Sequence, residues 1–532
     1  MAHVAFVLAL WLVIGPAYAD DTAACAALRE ADFSRIPDTP TQVITSTIVP
    51  ARDLVPAYCR VEAYIAPQVN FELQLPANWN GKLLHQGCGG TCGMIAVIEA
   101  DDALTRGYAV VATDGGHRST AADSKWAYND QTAEINAAYR ATHATTVAVK
   151  VIVEALTGQP PRRNYFRGCS NGGRQALRAA QAFPNDYDGI IAGSAPPGND
   201  AMLNGLWGMM KNQGADGQAI LTADLLPIIH AAVTAACDGT DGLKDGIVSE
   251  PLRCGFEPAS LLCGAAAPGK CLSDKQLSVL RAIYDGPRTS AGEKLVIDGA
   301  GMASELNWRG MIPETATDLA SRRAERRLEA VKYNAFFIDA GPSFKLSDFD
   351  WDRDPQRMQL TGIISDAANP DLRRFKASGG KMIASIGTQD YIPTRSMTDY
   401  YDVAERVVGG RLAAQDFFRM FVIPGLDHCM GGPGAWMIDY LTALERWVEA
   451  DVAPDALIGH HPKDAKVFTQ GFPASRVNRE KVWRNPKAAS RLFDFSRPVF
   501  PHPDVARWNG SGPAEDATNW VRVSPNLSSP SP

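Results

Sequence analysis

Between Trp79 and Pro197 short apolar runs alternate with longer stretches of helical spacing. Lys82-Leu83-Leu84 reads as a strand entering the turn Gln86-Gly87-Cys88-Gly89-Gly90, and Tyr108 to Ala112 as a second strand ending at Asp114-Gly115-Gly116. Ala144 to Leu156 has helical length and meets a stop signal at Gly158-Gln159-Pro160-Pro161. Tyr165-Phe166-Arg167 predicts a strand, Arg174 to Phe183 a helix, and Gly189 to Gly193 another buried strand. Strand, helix, strand in this order implies right-handed crossovers and a parallel sheet.

After Pro197 the rhythm breaks. Gly198 to Asp371 is helical or irregular, rich in aromatics, and holds four cysteines. Strand texture returns at Lys381 to Gly387 and at Phe417 to Pro424, followed by a helix from Trp436 to Val448. The pattern predicts an α/β fold: a mostly parallel central sheet flanked by helices, built from residues 20–197 and 372–532. Residues 198–371 form an inserted domain, placed across the sheet as a lid.

Composition narrows the function. The 532 residues are 45% hydrophobic and 21% charged, which is globular. With 52 basic against 59 acidic residues, net charge −7, the chain has no electrostatic reason to bind nucleic acid or an anionic membrane. No later stretch approaches the roughly 18–20 apolar residues of a membrane span. Ala5 to Ile14 is apolar and leads to Ala17-Tyr18-Ala19, so residues 1–19 read as a secretory signal, although their only basic residue is His3. The mature protein is then secreted or periplasmic. Ten cysteines, an even number, agree with an oxidising compartment. Cys88 and Cys92, Cys237 and Cys254, and Cys263 and Cys271 are close enough to pair locally, leaving Cys25, Cys59, Cys169 and Cys429 to pair among themselves. Zinc is disfavoured, because Cys88-x3-Cys92 has no second Cys/His pair nearby.

Gly168-x-Ser170-x-Gly172 lies between a predicted strand and a predicted helix, the setting of a nucleophile elbow. A serine needs a base and an orienting acid to become nucleophilic. Among nine histidines, His428 follows a predicted strand, in the turn Gly425-Leu426-Asp427-His428-Cys429. Asp390 lies just beyond another predicted core strand; Asp366 and Asp416 are less well placed, and Asp427 adjoins His428 too closely to reach its ring. Cys169 precedes the serine and Cys429 follows the histidine. A bridge between them would bring their Cα atoms to about 4.4–6.8 Å and force Ser170 and His428 together. The elbow offers the Asn171 N–H to an oxyanion, and the early glycine turn a second donor, Gly89 before Gly90. His117 supports its loop rather than reacting.

The insertion also contains Asp238, Asp241 and Asp245 on a glycine-bent loop, where carboxylates at such intervals favour a hard cation such as Ca²⁺. The carbonyls of Leu243 and Ile247 complete the candidate ligand set. Trp207, Trp308, Tyr333, Phe336, Phe337 and Trp351 could stack on an aromatic acyl group, although most of them fit a packed core better.

Taken together, Cys169-Ser170, Asp390, His428-Cys429 and the aspartate loop resemble the tannase and feruloyl esterase family, from about Cys25 to Trp520. The resemblance implies an α/β-hydrolase with a lid, acting on small esters of phenolic or terephthalic-type aromatic acids, with a structural calcium at Asp238, Asp241, Leu243, Asp245 and Ile247. It also implies the bridges Cys25–Cys59, Cys169–Cys429, Cys237–Cys254 and Cys263–Cys271, with Cys88–Cys92 as an addition. Where many relatives carry a C-terminal cysteine pair, this chain has Arg497-Pro498-Val499 and Asn519-Trp520. Two other readings are a non-catalytic, calcium-stabilised binding protein on the same scaffold, and a peptidase.

Overall fold

A computed structural model describes residues 22–264, 271–317, 322–336, 338–469, 474–485 and 490–525. Residues 1–19, read as a signal, and Phe337 lie outside the described residues.

The main sheet contains β1 (Thr41–Val49), β2 (Tyr58–Ile65), β3 (Val69–Pro76), β4 (Lys82–Gln86), β5 (Ala109–Thr113), β6 (Arg163–Cys169), β7 (Gly189–Gly193), β8 (Lys381–Gly387) and β9 (Phe418–Ile423). They pair in the order β1-β2-β3-β5-β4-β6-β7-β8-β9. From β5 to β9 every pairing is parallel; β1, β2 and β3 join antiparallel at one edge. The chain belongs to the α/β-hydrolase class of folds expected from the sequence. The strand and helix pattern from Trp79 onward leaves out β1 to β3, although Thr41–Val49 alternates inward and outward positions with the period of a strand.

The two faces of the sheet separate by that same period. Leu83, Ala109 and Val111 pack with Ala144, Ala148 and Ile152 of the helix Ala141–Thr157. Their neighbours Leu84 and Val110 face the other side, with Leu441, Leu444 and Trp447 of the helix Tyr440–Ala450. That helix starts four residues later than predicted, because Asp439 caps it by accepting the Thr442 N–H at 3.2 Å. At the far end of the sheet, Phe166, Ile190 and Met382 bury against Ala176 and Leu177 of the helix Asn171–Ala182.

Between β7 and β8 the described residues contribute no strand to the main sheet. They hold two hydrophobic clusters of their own, one around Leu226, Val233, Leu280 and Trp308 and one around Leu206, Phe336, Phe349 and Met358. Trp207 donates its indole N–H to the Ala282 carbonyl and packs edge-on against Trp351. Of the described aromatics proposed for stacking on substrate, Trp308 and Phe336 are interior residues of this segment and Trp351 is partly buried. After β9, β10 (Leu457–Pro462) pairs with β11 (Phe493–Val499), and β12 (Val505–Trp508) with β13 (Trp520–Val523). No helix among the described residues is long and apolar enough to cross a membrane.

Candidate active site

Ser170 stands at the junction of β6 and the helix Asn171–Ala182 with φ 61° and ψ −125°, a conformation costly for a serine. The flanking glycine is dictated by space: a Cβ on Gly168 would lie 2.3 Å from the Gly172 carbonyl. The strained turn lifts the serine side chain out of the sheet and leaves the first N–H groups of the helix beside it. The helix begins at Asn171, three residues before the predicted start, so the elbow and the helix are continuous.

His428 and Asp390 come from the loops after β9 and β8. Both carboxylate oxygens of Asp390 lie near His428 Nδ1, at 2.8 and 3.0 Å, and Asp390 is fully buried. This geometry puts the proton on Nδ1 and leaves Nε2 as an acceptor. The Tyr391 hydroxyl meets Nε2 at 3.2 Å, with its ring packed on the imidazole at 4.3 Å between centroids. Asp427 does not reach the ring; its Oδ1 accepts the Asn307 Nδ2–H at 2.7 Å, which opposes the upward push of burial on its carboxyl. Asn307 Nδ2 also donates to the Gln389 carbonyl at 2.8 Å, so one side chain from the β7–β8 segment ties the acid loop to the histidine loop.

All ten cysteines are bridged, in the pairs Cys25–Cys59, Cys88–Cys92, Cys169–Cys429, Cys237–Cys254 and Cys263–Cys271. Cys169 and Cys429 have Cα atoms 5.9 Å apart, which brings Ser170 and His428 to the same wall of one cavity.

The glycine turn faces that wall. The amides of Gly87, Cys88, Thr91, Cys92 and Gly93 are spent on Arg167 O, Gln175 Oε1, Ala121 O, Gly89 O and Asp114 O. Those of Gly89 and Gly90 have no acceptor among the described residues, and both glycines line the cavity with Ser170. At Gly90, with φ 61°, a Cβ would sit 2.0 Å from Ala121 O, so only glycine fits. His117 stacks on Trp126 at 3.6 Å, and burial pulls its imidazole down to about 4, which keeps it neutral.

Two cavities meet at the serine. The larger, of about 650 Å³, is lined by His428, Met430, Trp436 and Trp483; the smaller, of about 370 Å³, by Asn171, Trp126, Glu134 and Asp366. Ser170, Gly90, Thr91, Arg327 and Tyr391 belong to both. Arg167 forms part of the larger cavity, held by Asp102 at 2.7 and 2.8 Å. Tyr391, Trp436, Trp483 and Trp126 are not among the site residues expected from the sequence. Tyr391 adjoins the chosen aspartate, which was the available signal.

The aspartate loop has partners from within the chain. Asp238 accepts the Asp245 and Gly246 N–H groups, and Asp241 the Leu243 N–H and the Ser249 hydroxyl. Asp245 pairs with the Arg497 guanidinium at 3.1 Å. Asp241, Asp245 and Ile247 share a cavity of about 20 Å³ with Arg497. Oxygen donors suit a hard cation. Among the described residues no group of three acidic, cysteine or histidine side chains is placed to hold a metal ion by itself.

A profile described as tannase and feruloyl esterase matches residues 53–523. The chain belongs to that family. It is therefore a carboxylic ester hydrolase. An uncharacterized esterase of Xanthomonas campestris pv. campestris is 32% identical, over 95% of this chain and 92% of the relative. The mono(2-hydroxyethyl) terephthalate hydrolase of Piscinibacter sakaiensis is 29% identical, over 94% of this chain and 92% of its own. In fold, the chain is similar to the crystal structure of feruloyl esterase B from Aspergillus oryzae, with a TM-score of 0.78 at 24% identity, covering 94% of this chain and 100% of that one.

Proposed function

We propose that the protein is a secreted serine esterase that cleaves carboxylic esters of aromatic acids through an acyl-enzyme. The observation that carries this reading is the Cys169–Cys429 bridge, which joins the strained Ser170 elbow to a histidine already oriented by Asp390. His428 Nε2 takes the Ser170 proton as the hydroxyl attacks the ester carbonyl. Asp390 holds the tautomer and stabilises the imidazolium that forms. The N–H groups of Asn171, Gly89 and Gly90 donate hydrogen bonds to the carbonyl oxygen as negative charge develops on it. His428 then protonates the leaving alcohol, and water repeats the sequence to release the acid. Because His428 lines only the larger cavity, the alcohol departs there and the acyl group occupies the smaller one, where Asn171 lies.

The segment 198–371 serves as the lid over this cleft; the reach of Arg327 into both cavities and of Asn307 onto both catalytic loops supports that role. Calcium, in this reading, is a structural ion at the aspartate loop and takes no part in the chemistry. To bind there it must displace Arg497 from Asp245.

The experiment is Ser170→Ala, assayed against a panel of feruloyl, galloyl and terephthaloyl esters and against a matched amide. Hydrolysis and fluorophosphonate labelling should both vanish while the fold persists. Ester turnover that survives the substitution, or amide cleavage as fast as ester cleavage in the unaltered enzyme, would overturn the reading.

A further inference from the structure

Asn171 and Gln175 are one helical turn apart on the elbow helix and so share a face. Both reach the bridged turn Cys88–Cys92. Gln175 is buried at 3% exposure; its Oε1 accepts the Cys88 N–H at 3.1 Å, and its Nε2 lies 3.3 Å from the Cys88 sulfur. Asn171 Nδ2 donates to the Cys88 carbonyl at 3.4 Å and lies 3.2 Å from the Cys92 sulfur. Arg174 Nε fixes the other end of the Asn171 amide, at 2.8 Å to Oδ1.

These contacts grip both peptide planes that flank Cys88. The Cys88 carbonyl and the Gly89 N–H belong to one rigid plane and point in opposite directions. Tying the carbonyl to Asn171 therefore aims the Gly89 N–H away from that contact, while the Gln175 bond sets the preceding plane. Gly89 and Gly90 have no side chains of their own to do this, and the Cys88–Cys92 bridge closes the turn around them.

We infer that the side chains of Gln175 and Asn171, acting through the Cys88–Cys92 turn, are positioning residues that aim the Gly89 and Gly90 amides at the developing oxyanion. The inference rests on the esterase reading above. Removing an oxyanion donor outright costs about 10²–10³ in kcat, so misaiming one should cost about ten- to a hundredfold.

The test compares Gln175→Met and Asn171→Ala with the unaltered enzyme on an aromatic ester, with active sites counted by fluorophosphonate titration. Each variant should lose about ten- to a hundredfold in kcat per titrated site, with KM within about twofold, because the donors act on the transition state. Affinity for a boronic acid that forms a tetrahedral adduct should fall in the same proportion. Should Gln175→Met fail to fold, Asn171→Ala at a half-buried position carries the same comparison. Unchanged kcat per titrated serine, or a loss confined to KM or to the number of folded sites, overturns the inference. Failure of the esterase reading looks different: the unaltered enzyme itself would neither label nor hydrolyse.

Discussion

Cys169 and Cys429, 260 positions apart, are bridged with their Cα atoms 5.9 Å apart, and each adjoins a member of the proposed reacting pair, Ser170 and His428. Packing alone would have to hold the β6 elbow against a loop from the far end of the sheet. The bridge removes much of that burden. By the chain-entropy model a loop of this length stabilises by about 5–6 kcal/mol, an upper figure. Replacing both cysteines by alanine should lower unfolding free energy by about 2–5 kcal/mol in denaturant titration. At temperatures where the variant stays folded, kcat should fall by about tenfold or more, because the nucleophile and base drift apart. Full activity in a folded variant would show that the sheet positions the pair unaided.

The bond from His428 Nδ1 to Asp390 makes a second prediction. Asn at position 390 would keep the shape and present the ring with an amide, losing the charge and favouring the wrong tautomer. Asp390→Asn should drop kcat by about 10³–10⁴ with little change in thermal stability, measured by steady-state kinetics alongside calorimetry.

Much of this site was legible in the chain before any coordinates. Gly168-x-Ser170-x-Gly172 between a strand and a helix is a local signal, and the two cysteines beside Ser170 and His428 carried long-range information that a sequence rarely offers. The Cys169–Cys429 bridge is present. The cavity walls were not legible, for a physical reason. Trp308 is as aromatic as Trp436 and Trp483, but only tertiary packing decides which of them lines the cavity at Ser170 and which fills the core of the β7–β8 segment. The order β5-β4-β6 was equally hidden, since periodicity gives the strands and not their neighbours.

Asn307 donates to Gln389 O and Asp427 Oδ1 through one nitrogen, at 2.8 and 2.7 Å. Asn307→Ala would leave the half-buried Asp427 carboxylate without that donor. The expected cost is about 1–3 kcal/mol, read as a fall in Tm. Since the same nitrogen joins the loops that carry Asp390 and His428, kcat should fall as well, by about three- to tenfold, a loss of about 1 kcal/mol in the transition state. A fall in Tm without any change in kcat would assign Asn307 to stability alone.

At the aspartate loop Arg497 pairs with Asp245, so the Ca²⁺ proposed for that loop would have to compete with it. A cation that binds only the folded protein raises Tm with its concentration. Calorimetry in chelator and in millimolar Ca²⁺ should therefore show a higher Tm with calcium. Arg497→Gln should enlarge the difference by freeing the carboxylate. Identical Tm values in both buffers, for both proteins, would mean that internal pairing is the loop's whole electrostatic balance.

Glu134 gives a pH signature. Burial, reinforced by the nearby carboxylates Asp339 and Asp130, pushes its carboxyl up from 4.5 to about 7. Raising the pKa of an acid on folding means that the native state holds a proton the unfolded chain has released. Its contribution to stability is therefore greatest at low pH. That contribution is lost as pH rises from about 4.5 through about 7, and above that range the folded protein carries an ionised carboxylate in a poor environment. Glu134→Gln removes the ionisation while keeping the shape. Relative to the unaltered protein, the variant should gain Tm steadily across that interval and level off above it, with no gain below. The measurement is a series of thermal melts of both proteins from pH 4 to 9. A difference in Tm that stays constant with pH would mean that Glu134 titrates alike in the folded and unfolded chains.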